Sequence, residues 1–224
     1  MNRAEILESL RKYILPERAQ RIHQAAVERT RLIKVVIEDI YQDNNAGAVF
    51  RTCDCFGIQE ATVIENRYLT KVAQSISKGS EKWLNTNKFD QQNSNNTVAC
   101  INDLKSNGYL VVATTPHNPD VLLPDFEVTQ KTAIIFGTEG KGLTQDALDL
   151  ADIKLKVPIY GFTESFNISV SAALVLQDLT TKLRKSKVNW QLPENERIEL
   201  EIDWIVKSMG RTGVSLLNQF SKSA

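Results

Sequence analysis

Five polar residues are spaced as the parts of a site would be. Asn45 and Arg51 stand six residues apart in NNAGAVFRT, at the head of a stretch with apolar helical spacing. A guanidinium there is permanently cationic and can fork onto a phosphate or a carboxylate; it can equally bond a neighbouring helix end. Glu139 sits in FGTEGKGL, where Gly137, Gly140 and Gly142 follow an apolar, β-branched run. A P-loop needs a hydroxyl where Gly142 stands, and a dinucleotide fingerprint needs its glycines after the first strand, about twenty residues ahead of an acid. Neither pattern is met. What remains is a tight turn whose backbone can approach a ligand closely with Glu139 at its apex, or a plain strand-to-helix connection. Ser165 and Asn167, in YGFTESFNISVSAALVL, stand where a polar segment gives way to apolar helical spacing. Both are placed to cap a helix whose first N–H groups lack partners. The two histidines, His23 and His117, lie outside all three motifs.

Such residues need a scaffold, and hydrophobic periodicity predicts one. Residues 1 to about 30 read as one or two helices punctuated by Pro16. LIKVVIED, ATVIEN, YLVVATT, TAIIFG and IKLKVPI read as buried strands. Helices fall between them: one capped by Asn44 or Asn45 and stopped by Gly57, one ending at Gly108, a short one in TQDALDLA, and a long one from Phe166 to about Arg184. In the long helix Ile168, Ala172, Val175, Leu179 and Leu183 mark a buried stripe. A last helix is expected at roughly Glu194 to Met209. Strands alternating with helices predict an α/β domain with a mainly parallel central sheet. Its boundaries fall at residues 31–184, between helical extensions at 1–30 and 185–224. In such sheets ligands collect at the carboxyl edge, out of which the helix begun at Ser165 and Asn167 would point its free N–H groups.

Composition limits the function classes. At 224 residues, 42% hydrophobic and 24% charged, the chain can bury one sizeable core. No run of eighteen apolar residues exists, and MNRAEILESLRKY is a charged helical pattern, so neither a membrane span nor a secretory signal is expected. Three cysteines suit a reducing cytoplasm better than a disulfide scaffold, and Cys53-Asp54-Cys55 lacks a second cluster to complete a metal site. The zero net charge is unevenly spread. Residues 1–34 hold eight basic against four acidic residues, residues 181–224 eight against five, and the middle carries the balancing excess of seven acids. Basic ends suit a polyanion gripped by appendages, and equally suit solvated helix faces.

Together the motifs N-x-G-x-x-x-R, F-G-x-E-G-x-G-L and V-P-I-x-G-x-x-x-S-x-N-x-S-V-S-x-A, in this order, resemble the three signatures of the SpoU family of ribose 2′-O-methyltransferases, within the SPOUT superfamily. The match runs from Ile33 to Leu183. SKGSEKWL (77–84) and the basic ends resemble more particularly the TrmH branch, which methylates guanosine 18 of tRNA. The resemblance implies a trefoil-knotted α/β fold, a homodimer, S-adenosylmethionine as cofactor, tRNA as partner and no metal. It assigns the cofactor to Thr114, Gly137, Val157, Ile159 and Phe166, the last being leucine in most of the family. It assigns the catalytic set to Asn45, Arg51, Glu139, Ser165 and Asn167. Within it Arg51 either removes the 2′-hydroxyl proton or fixes a phosphate and stabilises the developing alkoxide, with support from Asn45. Ribosomal RNA as substrate, or a knotted RNA-binding protein without catalysis, are the competing readings. The short helical segment ahead of the first strand favours tRNA, and the intact motif residues favour catalysis.

Overall fold

The computed structural model describes residues 1–70 and 73–222. In chain order its elements are α1 (Arg3–Arg11), α2 (Pro16–Val27), β1 (Thr30–Glu38), α3 (Asp43–Cys55), β2 (Ile58–Ile64), the single turn α4 (Gln74–Ser77), β3 (Asn85–Phe89), α5 (Asn96–Ser106), β4 (Leu110–Thr114), β5 (Val121–Leu122), β6 (Thr132–Phe136), α6 (Gln145–Leu150), β7 (Ile153–Lys156), α7 (Ile168–Lys185), α8 (Glu194–Met209) and α9 (Arg211–Lys222). They fall into two compact units. One is Arg31–Trp190; the other joins Met1–Thr30 to the segment from Gln191 onward.

The larger unit is built on a seven-stranded sheet in the order β3-β2-β1-β6-β4-β7-β5. The ladders β1–β6, β2–β3, β4–β6, β4–β7 and β5–β7 all run parallel. Parallel strands are buried on both faces, which is why these read as unbroken apolar runs. Successive side chains serve opposite faces: Ile134 and Phe136 of β6 join the core that α3 and α7 cover, while Ala133 and Ile135 join the one under α5 and α6. All five residues of the stripe expected on α7 are buried, together with Leu176 and Thr180. That helix begins at Ile168, two residues later than expected, because Asn167 is the residue whose side chain accepts the Ser169 N–H. Ser165 makes no cap. The N-cap of α3 is Gln42, whose side chain caps no backbone N–H, so Asn44 and Asn45 lie inside the first turn.

In the smaller unit α8 packs on α1, α2 and α9. Leu10, Ile22, Ala26, Trp204 and Ile205 are buried there. The carboxylate of Glu201 is buried between Arg11 and His23. The two termini are therefore one body, with ten basic and nine acidic residues. Much of the basic excess of the chain's ends lies outside it, at Arg31, Lys34 and the run Lys182, Arg184, Lys185 and Lys187. Helix α9 was not expected from the sequence, nor were β3 and β5.

Candidate active site

Three motifs far apart in sequence meet at the carboxyl edge of the sheet. The chain leaves β6 at Phe136 and turns tightly: the Gly142 N–H donates to the Thr138 carbonyl at 2.9 Å, and these residues form an isolated antiparallel bridge. Gly137 is required by space, since a Cβ there would stand 2.3 Å from the Gly142 carbonyl carbon and the Leu143 nitrogen. This closure lifts Glu139 to the apex. Its Oε1 accepts the Asn45 Nδ2 amide at 3.1 Å and also the Asn167 amide. Asn167 Nδ2 reaches Asn45 Oδ1 at 3.2 Å, so α3, the glycine-rich turn and the start of α7 are locked by one side-chain cluster. A carboxylate accepting two amides makes charge-assisted bonds, stronger than neutral ones.

A cleft of about 240 Å³ opens beside this cluster. All five residues assigned to the cofactor, Thr114, Gly137, Val157, Ile159 and Phe166, line it, and so does Ser165. Thr114, Gly137, Val157 and Ile159 come from the ends of three adjacent strands, β4, β6 and β7, while Ser165 and Phe166 come from the segment just ahead of α7. The walls are apolar at Leu143, Leu155, Val157 and Ile159, with hydroxyls at Thr114 and Ser165 and the turn backbone along one side. The Thr114 hydroxyl donates to the Ile135 carbonyl at 2.9 Å, which fixes β4 against β6 at the rim.

Arg51 stands apart. It lies on α3 six residues after Asn45, about 120° around the helix and roughly 9 Å along it. It is exposed and makes no hydrogen bond or ion pair among the described residues. Asn45 spends its amide on Gln42 (2.8 Å) and Glu139, not on Arg51.

Sequence reasoning missed three residues here. Glu38, at the end of β1, is 1% exposed and accepts the Thr144 N–H (2.8 Å), the Thr144 hydroxyl (2.7 Å) and the Thr97 hydroxyl. It ties the end of the glycine-rich turn to β1, and an acid closing an apolar strand was the available signal. Gln42 supports Asn45, and His117 lines the cleft from outside the motifs. The cysteines do not converge: Cys53 is buried on α3, Cys55 is exposed, and Cys100 is buried on α5. Burial, with Asp103 next, pushes the Cys100 thiol up to about 12. Among the described residues no three His, Cys, Asp or Glu side chains gather as a metal site would.

The model of the SpoU rRNA methylase family matches residues 32–177. The chain is 37% identical over 195 residues to the tRNA (guanosine(18)-2′-O)-methyltransferase of Borreliella burgdorferi, covering 87% of each. Among solved structures, it superposes on the Aquifex aeolicus TrmH/SpoU tRNA modifying enzyme with a TM-score of 0.77 at 23% identity, over 87% of this chain and 98% of that one. The SpoU methyltransferase AviRb of Streptomyces viridochromogenes, solved in complex with AdoMet, gives a TM-score of 0.60 at 20% identity, over 73% of this chain and 65% of that one.

Proposed function

The chain belongs to the SpoU methylase family, and from that premise we propose that it methylates the ribose 2′-hydroxyl of guanosine 18 in tRNA, using S-adenosylmethionine. The observation that carries this reading is the Asn45–Glu139–Asn167 cluster, assembled from three separate motifs at the mouth of the cleft. The cleft's residues fit the cofactor: apolar walls suit an adenine, while hydroxyls and turn backbone suit a ribose and an amino-acid end. When bound, the cofactor supplies an electrophilic methyl group on a sulfonium. The protein's part is to align the attacking oxygen and ease the loss of its proton. A guanidinium surrenders its proton only at very high pH, so Arg51 acts by gripping an RNA phosphate and stabilising the developing alkoxide. Asn45, Glu139 and Asn167 hold the loops in register, and Ser165 orders the cofactor loop.

A homodimer belongs to the same reading. Tyr160 and Phe162 are fully exposed, and Val170 and Leu174 are exposed at helical spacing on α7, an apolar surface next to the cleft. The order β4-β7-β5 lays a late strand between two earlier ones, which supports the threaded, knotted path. Lys12 and Arg21 in the helical unit, and Lys185 and Lys187 beyond it, lack partners among the described residues and would meet tRNA phosphates. Buried cysteines outside any disulfide, Cys53 and Cys100, favour the cytoplasm, and no helix among the described residues is long and apolar enough to cross a membrane.

The test is to incubate the protein with labelled S-adenosylmethionine and an unmodified tRNA transcript, then map the modified nucleotide. Label at guanosine 18, lost when that nucleotide is 2′-deoxy, is the expected result. Label elsewhere in tRNA, or only in ribosomal RNA, overturns the assignment.

A further inference from the structure

Two tyrosines outside the motifs lie open on the same edge of the sheet. Tyr41 follows β1 and Tyr68 follows β2, and these strands are neighbours. Their ring centroids are 5.7 Å apart at an interplanar angle of 53°, and the residues are 50% and 40% exposed. An aromatic pair formed only to cover a core would bury more of this area; here ring surface faces water.

Both rings are held on stiffened backbone. Asp39 adopts a left-handed φ of 52°, and its Oδ1 accepts the N–H groups of Asn66 (2.7 Å) and Arg67 (2.9 Å). The Thr70 N–H donates to Glu65 Oε1 at 2.5 Å and the Thr70 hydroxyl to the Ile40 carbonyl at 3.2 Å, binding the second loop to the first. Aspartate is one of the few non-glycine residues that enter that region, and the two N–H groups it accepts hold it there. The platform is also joined to the candidate site. Gln42 Nε2 donates to the Tyr41 hydroxyl at 3.0 Å, while Gln42 Oε1 accepts from Asn45, which in turn donates to Glu139. Next to Tyr68 in the chain, the Arg67 side chain is exposed and its guanidinium has no partner among the described residues.

We propose that Tyr41 and Tyr68 form a stacking platform for an unpaired RNA base next to the methylated ribose, with Arg67 on an adjoining phosphate. The inference rests on the RNA-methylation reading above and adds a base-holding subsite to it. Rigid tyrosines lose little freedom on binding, and exposed aromatic faces combined with basic side chains are what tracks an unpaired strand. Holding a neighbouring base fixes the ribose through the short sugar–phosphate link, so the rings position the substrate while other groups do the chemistry.

The experiment measures binding of an unmodified tRNA transcript by fluorescence anisotropy, beside methylation kinetics. Tyr68→Ala should weaken tRNA binding roughly 5- to 150-fold, the range for losing one stacked base. Cofactor affinity and thermal midpoint should stay unchanged, and Tyr68→Phe should behave as wild type. Transcripts with single abasic nucleotides then locate the base. At one position near the methylated nucleotide, the abasic penalty and the Tyr68→Ala penalty should fail to add. Wild-type binding by Tyr68→Ala, an equal loss in Tyr68→Phe, or additive penalties at every position overturns the platform. So does conversion of Tyr68→Ala to a different oligomeric state, which would make the rings a contact between copies. The anisotropy arm needs no catalysis. A chain that binds tRNA through Tyr68 yet transfers no methyl group overturns the proposed reaction while upholding the platform.

Discussion

Glu139 meets two side-chain amides and, among the described residues, no cation, so its charge is held by dipoles. Removing one amide should be felt in folding as well as chemistry. Asn167→Ala deletes both a donor to Glu139 and the cap on the Ser169 N–H. Urea denaturation should show a loss of about 1 kcal/mol or more, with weaker cofactor binding. Arg51→Ala removes no hydrogen bond or ion pair among the described residues and should change stability by less than about 0.5 kcal/mol. Calorimetry should find its cofactor affinity intact and radiometric assay should find methyl transfer lost; a loss of cofactor binding would make Arg51 structural. Cys100 gives a pH prediction. Its folded thiol is raised from 9.0 to about 12, so the folded state favours the neutral form. Its stabilisation is complete below about pH 9 and is lost as pH rises toward 12. Cys100→Ala should show a shallower decline across that window, and at pH 8 in the native state Cys55 should alkylate well before Cys100.

The glycine-rich turn works as an element because its own backbone crosses itself. Gly137→Ala would press a Cβ into the Gly142 carbonyl group, whereas a Cβ at Gly140 meets nothing within 4 Å and is disfavoured only by its φ of 82°. Gly137→Ala should therefore abolish measurable cofactor binding by calorimetry, while Gly140→Ala costs about 1 kcal/mol of stability and keeps binding. Elements with strong apolar patterns were legible in the sequence: β1, β2, β4, β6, β7 and α7 all stand where the periodicity placed them. The missed ones have two causes. β3 is NTNKF, an edge strand exposed along its middle, and β5 is two residues long, so neither has an apolar run to read. α9 contains Gly213, which reads as a breaker; in the structure a Cβ there would stand 2.6 Å from the Val206 carbonyl oxygen, so the glycine lets α9 close on α8.

For the whole molecule, the apolar surface at Tyr160, Phe162, Val170 and Leu174 is the largest commitment. Sedimentation should give a mass near twice 25.2 kDa at micromolar concentration. Leu174→Glu, which points a charge outward from a 38% exposed position, should yield a monomer with an unchanged circular dichroism spectrum. A wild-type monomer would count against the dimer outright. The charge pattern also changes meaning at this scale. Arg3, Arg11 and Lys207 pair with Glu199, Glu201 and Asp203 inside the helical unit, so linear charge counts overstate what that unit offers to RNA.

Residue types and their order were enough to mark Asn45, Arg51, Glu139, Ser165 and Asn167 and to predict a parallel sheet, because periodicity and turn chemistry are local. Which of those residues touch was not local. Asn45, Glu139 and Asn167 are 94 and 28 residues apart along the chain and meet because strand order brings their loops to one edge. Spacing alone grouped Arg51 with Asn45; the helical turn between them separates the two. Likewise the termini pack as one body through long-range burial at Leu10, Ile22 and Trp204, which no window of sequence contains. Local chemistry is written along the chain, whereas contact is decided by the burial of apolar faces that lie far apart on it.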